Sequence, residues 1–421
     1  MSLFLENSIN SDMGKFRWQL LPPALFLLIL PLNHTIALRF LCLFLAAAIA
    51  LRMFFKPGAP PLPLKLPLAL WAGIAGLSLT WSLDPMFSLN ELKTEIGYGM
   101  IALFSFFILT SGKREWHVLL WALMAGVTGT ATLAAVKIWQ LGSYPAYDLD
   151  WQHGPGTYST YLSLAFPFLL YLLLQPAQRR IPFKPAWLLL PIFLFAGYAT
   201  LNRMFWLAAG VALLVFLALL AFNRSKSISL RSLVSLATVL AIITILFVNV
   251  SKDHPASATS PSVSTKSSSL DHVKESFRHS ERYQIWQYWT EHIAERPLTG
   301  VGFGRDLPHY VYAKPAEFPS DYFAHAHNVF LNYALQMGLP GLVALLILLA
   351  ALIRTFWRFY RSPHEETRLV GICGLALIAS FVTKNMTDDF FWRGDGLLFW
   401  SLVGMLLGYG TRSTMRVESS T

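Results

Sequence analysis

Two histidines one residue apart, His325 and His327 in "FAHAHNVFLNYALQMGLPG", are followed at once by Asn328 and a long apolar run interrupted by Gly338, Pro340 and Gly341. A neutral imidazole accepts and returns protons near neutral pH, so acid/base chemistry is open to this pair. Two other readings stand beside it: a structural or interfacial role, and metal ligation. A metal would want further ligands, and His309, Asp321 and Asp389 show no recognised spacing to the pair. On a helix, residues two apart would not face the same way.

Arginines supply the complementary chemistry. Arg203, in "ATLNRMFWLAAG", begins an apolar run; Arg282 lies four residues after Arg278 and four before Trp286. That spacing puts the three on one helix face, where Trp286 can support the Arg282 guanidinium and Arg278 can add to its field. The bland alternatives are an interfacial, snorkelled Arg203 and a solvated helix face in which Glu275 and Glu281 form weak ion pairs. Planar guanidinium forks match phosphate oxygens bidentately. A histidine base with two such arginines suits attack by a hydroxyl on a polyprenyl diphosphate donor, with the arginines stabilising the departing diphosphate. Lys93, in "SLNELKTE", is a further phosphate contact or a solvated loop residue. Asp389 and Arg393, in "KNMTDDFFWRGDG", either line the acceptor side or form an interfacial ion pair.

The elements that must hold these groups are membrane helices. Of 421 residues, 55% are hydrophobic and 13% charged, against roughly a quarter charged in an average globular chain. Twelve apolar runs can be read, near 18–34, 36–55, 63–82, 96–111, 117–140, 157–175, 186–201, 203–222, 232–250, 329–354, 367–383 and 396–411. A span needs about 20 apolar residues, and no cleavage site follows the first run, which therefore stays as a helix. Basic residues concentrate in alternate short loops, such as Arg179, Arg180 and Lys184, or Arg354, Arg358, Arg361 and Arg368, so the positive-inside rule places both termini in the cytoplasm. This bias explains the net charge of +10, and no basic patch interleaved with aromatics speaks for nucleic acid. Cys42 and Cys373 fall inside apolar runs and read as packing residues.

On this topology residues 1–250 hold nine spans, 251–328 form one large outer loop, and 329–421 hold the last three spans and a cytoplasmic tail. The loop opens on a Ser-, Thr- and Pro-rich stretch, 251–270, too poor in apolar residues to order itself. From Asp271 onward Val273, Phe277, Ile285, Trp289 and Ile293 recur at helical spacing up to Pro297. The glycines of "LTGVGFG" then let the backbone approach a neighbour or ligand closely. Gly338 and Pro340 should break 329–353 into a short outer segment and a membrane helix, with His327 near the outer segment's N-terminus. The partial positive charge there disfavours imidazolium and leaves a ring able to accept a proton.

The layout with one large loop between the ninth and tenth runs, the segments "NRMFWLAAG" and "RYQIWQYWTEHIAERPLTGVGFG", and His327-Asn328 followed at fixed spacing by Gly338 and Gly341 resemble the O-antigen ligase and polymerase family of bacterial envelope proteins. The resemblance implies a fold of the membrane-embedded glycosyltransferase kind (GT-C-like). It also implies transfer of O-antigen from undecaprenyl diphosphate to a hydroxyl of lipid A-core, on the periplasmic face of the inner membrane, by an inverting, metal-independent reaction without a cofactor. Carried over residue by residue, it puts the essential histidine on His327 and the two functional arginines on Arg203 and Arg282, with His325 at most supporting. The rivals are an O-antigen polymerase, which uses the same donor with a second lipid-linked glycan as acceptor, and a polyprenyl-glycan transporter. A transporter should show repeat symmetry and charges lining a path, and neither is evident.

Overall fold

The structure is a computed structural model that describes residues 18–32, 34–56, 60–141, 154–174, 186–222, 281–313 and 324–418, together with residues 238, 241, 242 and 245. Every regular element among the described residues is helical. In chain order these are α1 (Leu21–Ile29), α2 (Ile36–Phe54), α3 (Lys65–Leu77), α4 (Pro85–Glu91), α5 (Tyr98–Leu109), α6 (Lys113–Leu141) and α7 (Gly154–Leu174). Then follow α8 (Ala186–Ala199), α9 (Arg203–Phe222), α10 (Glu281–Glu295), α11 (Leu307–Val311), α12 (Val329–Tyr360), α13 (Glu365–Asn385) and α14 (Arg393–Glu418).

Among the described residues seven helical stretches are long and apolar enough to cross a membrane: α2, the continuous stretch Pro85–Leu109, α6, α7, α9, α12 and α13. Trp18–Ile29, Lys65–Thr80 and Ala186–Ala199 are apolar but shorter, and the run expected at 396–411 lies within α14. The run expected at 232–250 falls almost wholly outside the described residues, as do the Ser-rich stretch and Arg278. Cys42 and Cys373 are free and buried, as packing residues should be.

The run expected to begin at 96 begins eleven residues earlier, at Pro85, where the Asp84 carboxylate caps the helix by accepting from the Phe87 N–H at 2.9 Å. Between α4 and α5 the chain makes a π-helical turn, Leu92–Gly97, so Lys93 sits exposed on a helix rather than in a loop. At the C-terminal end of this stretch Gly404 and Gly408 of α14 bring its backbone onto the carbonyls of Leu103 and Phe107 in α5, a four-residue small-residue spacing that lets membrane helices approach closely.

Gly338 breaks α12 as expected, with φ 67° and ψ −171°. The break frees the carbonyls of Leu335 and Gln336, and "GVGFG" satisfies them: the N–H of Val301 donates to Leu335 at 3.0 Å and that of Gly302 to Gln336 at 2.8 Å. The return bond runs from the Leu339 N–H to the Pro297 carbonyl at 2.7 Å. Both glycine clusters are needed, because a Cβ at Gly300 would strike the Leu335 and Gln336 carbonyls and one at Gly338 would strike the backbone of Leu298. The close approach anticipated for this turn is thus to a neighbour. Its consequence is to fix Arg305, the residue after Gly304, beside the start of α12.

Candidate active site

Asn328 starts α12, its side-chain oxygen accepting from the N–H groups of Phe330 at 2.9 Å and Leu331 at 3.3 Å, while its amide donates to the Met386 carbonyl at 3.0 Å. It is a helix cap and a tie to the last loop. Just before it, His327 has a left-handed backbone (φ 46°), which a non-glycine residue adopts at a cost of roughly 1–3 kcal/mol and which clusters at functional sites. That turn overrides the helical expectation that the two histidines face apart: their ring centroids lie 4.1 Å from each other.

Both rings meet one carboxylate oxygen. His327 Nδ1 lies 3.2 Å and His325 Nε2 3.6 Å from Asp388 Oδ1. Arg305 reaches the far side of His325, its Nη2 donating to Nδ1 at 3.2 Å. Since a guanidinium can only donate, His325 must carry its proton on Nε2, toward Asp388. Burial pushes His325 down to about 3, the Arg305 and His327 charges adding to the effect against the pull of Asp388, so His325 is neutral at physiological pH. Burial alone would raise the Asp388 carboxyl, but its contacts with His325 and His327 and the charge of Lys384 hold it well below the usual carboxylate range. An ionised Asp388 orients His327 with Nδ1–H toward it, which leaves the lone pair on Nε2.

The neighbouring Asp389 has a different task. Its carboxylate accepts from the Asn332 amide at 2.5 Å and the Phe391 N–H at 3.2 Å, and its carbonyl accepts from Arg305 Nη1 at 2.9 Å. Burial raises this carboxyl, partly offset by Arg305. The ion pair with Arg393 that sequence spacing offered does not form; Asp389 pins the last loop to α12 because Asn332, one turn into that helix, faces it. Arg393 instead lays its guanidinium 3.8 Å from the centre of the Trp392 ring, and its backbone N–H donates to both Glu95 carboxylate oxygens at 2.9 and 3.1 Å.

Arg203 opens α9, preceded by Asn202, whose side-chain oxygen accepts from the Met204 N–H at 3.0 Å and from Lys384 Nζ at 3.3 Å. Lys384 is fully buried near the C-terminal end of α13 and feels the charges of Asp388, Asp395 and Arg282. Arg282, near the start of α10, is exposed, and that helix docks through Ile285 and Trp289 against Ala326 and Leu335. No contact is described between the Arg282 guanidinium and the Trp286 ring; the described cations over rings include Arg305, Arg393, Lys384 and Arg412. Lys93 makes none of these contacts.

The structure therefore joins His327, His325 and Asn328 to three residues that sequence reasoning passed over: Arg305, Lys384 and Asp388. Arg305 had a signal in the three glycines that precede it; Asp388 had none that separated it from Asp389. His325, His327 and Asp388 also offer ligand atoms within 4.8 Å of one another, the residue types of a zinc-like site. Arg305 at His325 and Lys384 beside Asp388 raise the electrostatic cost of adding a divalent cation there.

No curated protein matches the chain. Residues 186–346 match the O-antigen ligase family, a stretch that contains Arg203, Arg282, Arg305, His325 and His327. With its apolar helices and this match, the chain is a multi-pass membrane protein in which residues 186–346 are similar to the O-antigen ligase family.

Proposed function

We propose that the protein is an O-antigen ligase of the bacterial inner membrane, transferring O-antigen from undecaprenyl diphosphate to a hydroxyl of lipid A-core on the periplasmic face. The observation that carries this reading is the convergence of His327 and Asp388 beside a cationic group, with Asp388 sensing Lys384 and Lys384 sensing Arg282. His327 Nε2 takes the proton of the acceptor hydroxyl as its oxygen attacks the anomeric carbon. The bond from that carbon to the diphosphate oxygen breaks, and its electron pair leaves on the diphosphate. Asp388 stabilises the imidazolium so formed, and Arg203, Arg282 and Lys384 meet the charge on the leaving group. A single displacement inverts the anomeric centre. With this cationic field in place no metal is required, and the fold is of the GT-C-like membrane glycosyltransferase kind.

The test is a lipopolysaccharide gel with parallel analysis of undecaprenyl-linked glycan, in a strain lacking the protein and complemented by wild type or His327→Ala. The expected result for the variant is bare core with long lipid-linked O-antigen accumulating. A core bearing a single repeat unit would identify a polymerase, and a full ladder from His327→Ala would remove the histidine from the chemistry.

A further inference from the structure

A cavity of about 160 Å³ opens beside the histidine cluster, between the end of α1, the first turn of α7 and the start of α14. Arg305, Trp392, Arg393, Asp395, Tyr158 and Tyr161 line it, and none of Arg203, Arg282 or Lys384 is among its described lining residues. Arg305 and Arg393 both stack on Trp392, at 4.3 and 3.8 Å from the ring centre, so the indole holds two guanidiniums at one wall. Arg305 Nε is buried in an ion pair with Asp306 Oδ1 at 3.3 Å, short of hydrogen-bond geometry. The Arg393 guanidinium makes no hydrogen bond or ion pair with any described residue, although its backbone is fixed by Glu95 and a left-handed φ of 43°. The cavity also meets Gly394 and Asp395, the first turn of α14, where a helix leaves its own N–H groups unpaired. Asp395 is the one acidic residue in the described lining.

We propose that this cavity is an acceptor subsite that binds a phosphate monoester carried on the acceptor saccharide. This rests on the glycan-ligase reading above. The Arg393 fork, with the N–H groups of Arg305 not taken by Asp306, Asp389 and His325, suits a tetrahedral, doubly charged group better than a single carboxylate. Arg305 links the two sites, because the same guanidinium that lines the cavity donates to His325. A phosphate held there would place a nearby sugar hydroxyl within reach of His327, while the donor diphosphate takes the separate cations around Lys384.

The experiment uses the full chain in proteoliposomes with a lipid-linked glycan donor and two acceptors, native lipid A-core and the same material stripped of phosphate esters. Arg393→Gln should raise the acceptor KM about tenfold on native core and leave the donor KM in place; Arg393→Lys should recover part of the loss. On stripped core the wild type should show the same raised KM, and Arg393→Gln should add nothing. A change in donor KM, or an equal change with both acceptors, would overturn the phosphate subsite. Transfer by wild type with no response to Arg393→Gln would overturn it too while leaving the ligase reading intact, and no transfer by wild type would take down both.

Discussion

The two ends of the helical bundle use the same residue type in opposite ways. Near the C-terminal end of α14, Arg412 donates to the carbonyls of Phe107 at 2.7 Å, Ile108 and Gly408 at 3.1 Å and Thr110 at 3.5 Å. Close by, Glu366 takes an ion pair from Lys113 and a hydrogen bond from Tyr409 at 2.8 Å. There a cation closes the last turn of α5, a structural role. At the other end Arg305 donates to a histidine, stacks on an indole and faces a cavity. The lesson is that an arginine whose donors all end on backbone carbonyls stabilises the fold, whereas Arg305, which holds the Asp389 carbonyl and Asp306 but also reaches a titratable ring and a cavity, is placed for chemistry.

Breaking each end should give a different signature. Arg412→Ala leaves several helix-end carbonyls without their donor, and the expected loss is about 3 kcal/mol of stability in detergent, with unchanged transfer kinetics for the protein that stays folded. A fall in rate without a fall in melting temperature would erase the contrast between the two ends. A smaller effect is expected from pH. His325 has its folded value near 3 against 6.5 for a free histidine, so the unfolded chain binds more protons between those values and stability falls as pH falls through that window. Asp388, held low when folded, adds a loss in the same direction at more acid pH. Between pH 7 and 5 the His325 contribution amounts to about 2 kcal/mol. His325→Gln should flatten that part of the melting profile, and an unaltered slope would mean that His325 titrates freely.

The helical architecture was legible because membrane spans are local: each run of apolar residues announces itself, and Gly338 with Pro340 marks the break in α12. His327 was legible through its polar partner Asn328 and the glycine spacing downstream. The carboxylate that orients it was not. Asp388 is far from His327 in the chain and adjacent to Asp389, and which of the two meets His327 is set by the fold, in which Asn332 and Phe391 hold Asp389. Lys384 directly follows the apolar run 367–383, and α13 carries it into the interior, where it meets Asn202, just before α9. Arg305 followed a glycine turn whose purpose, satisfying carbonyls freed by a kink some thirty residues later, has no sequence-local signature.

On the proposed mechanism Asp388 and His327 act as one acid/base unit. Rates of glycan transfer from lipid-linked donor to lipid A-core should be measured in proteoliposomes, with EDTA present throughout, for wild type, Asp388→Asn, His327→Ala and the double variant. The expected result is an EDTA-resistant wild-type rate, a loss of about 10²-fold in Asp388→Asn, at least that in His327→Ala, and a double variant no slower than His327→Ala alone. A wild-type rate in Asp388→Asn, independent multiplication of the two losses, or abolition of activity by EDTA would contradict it.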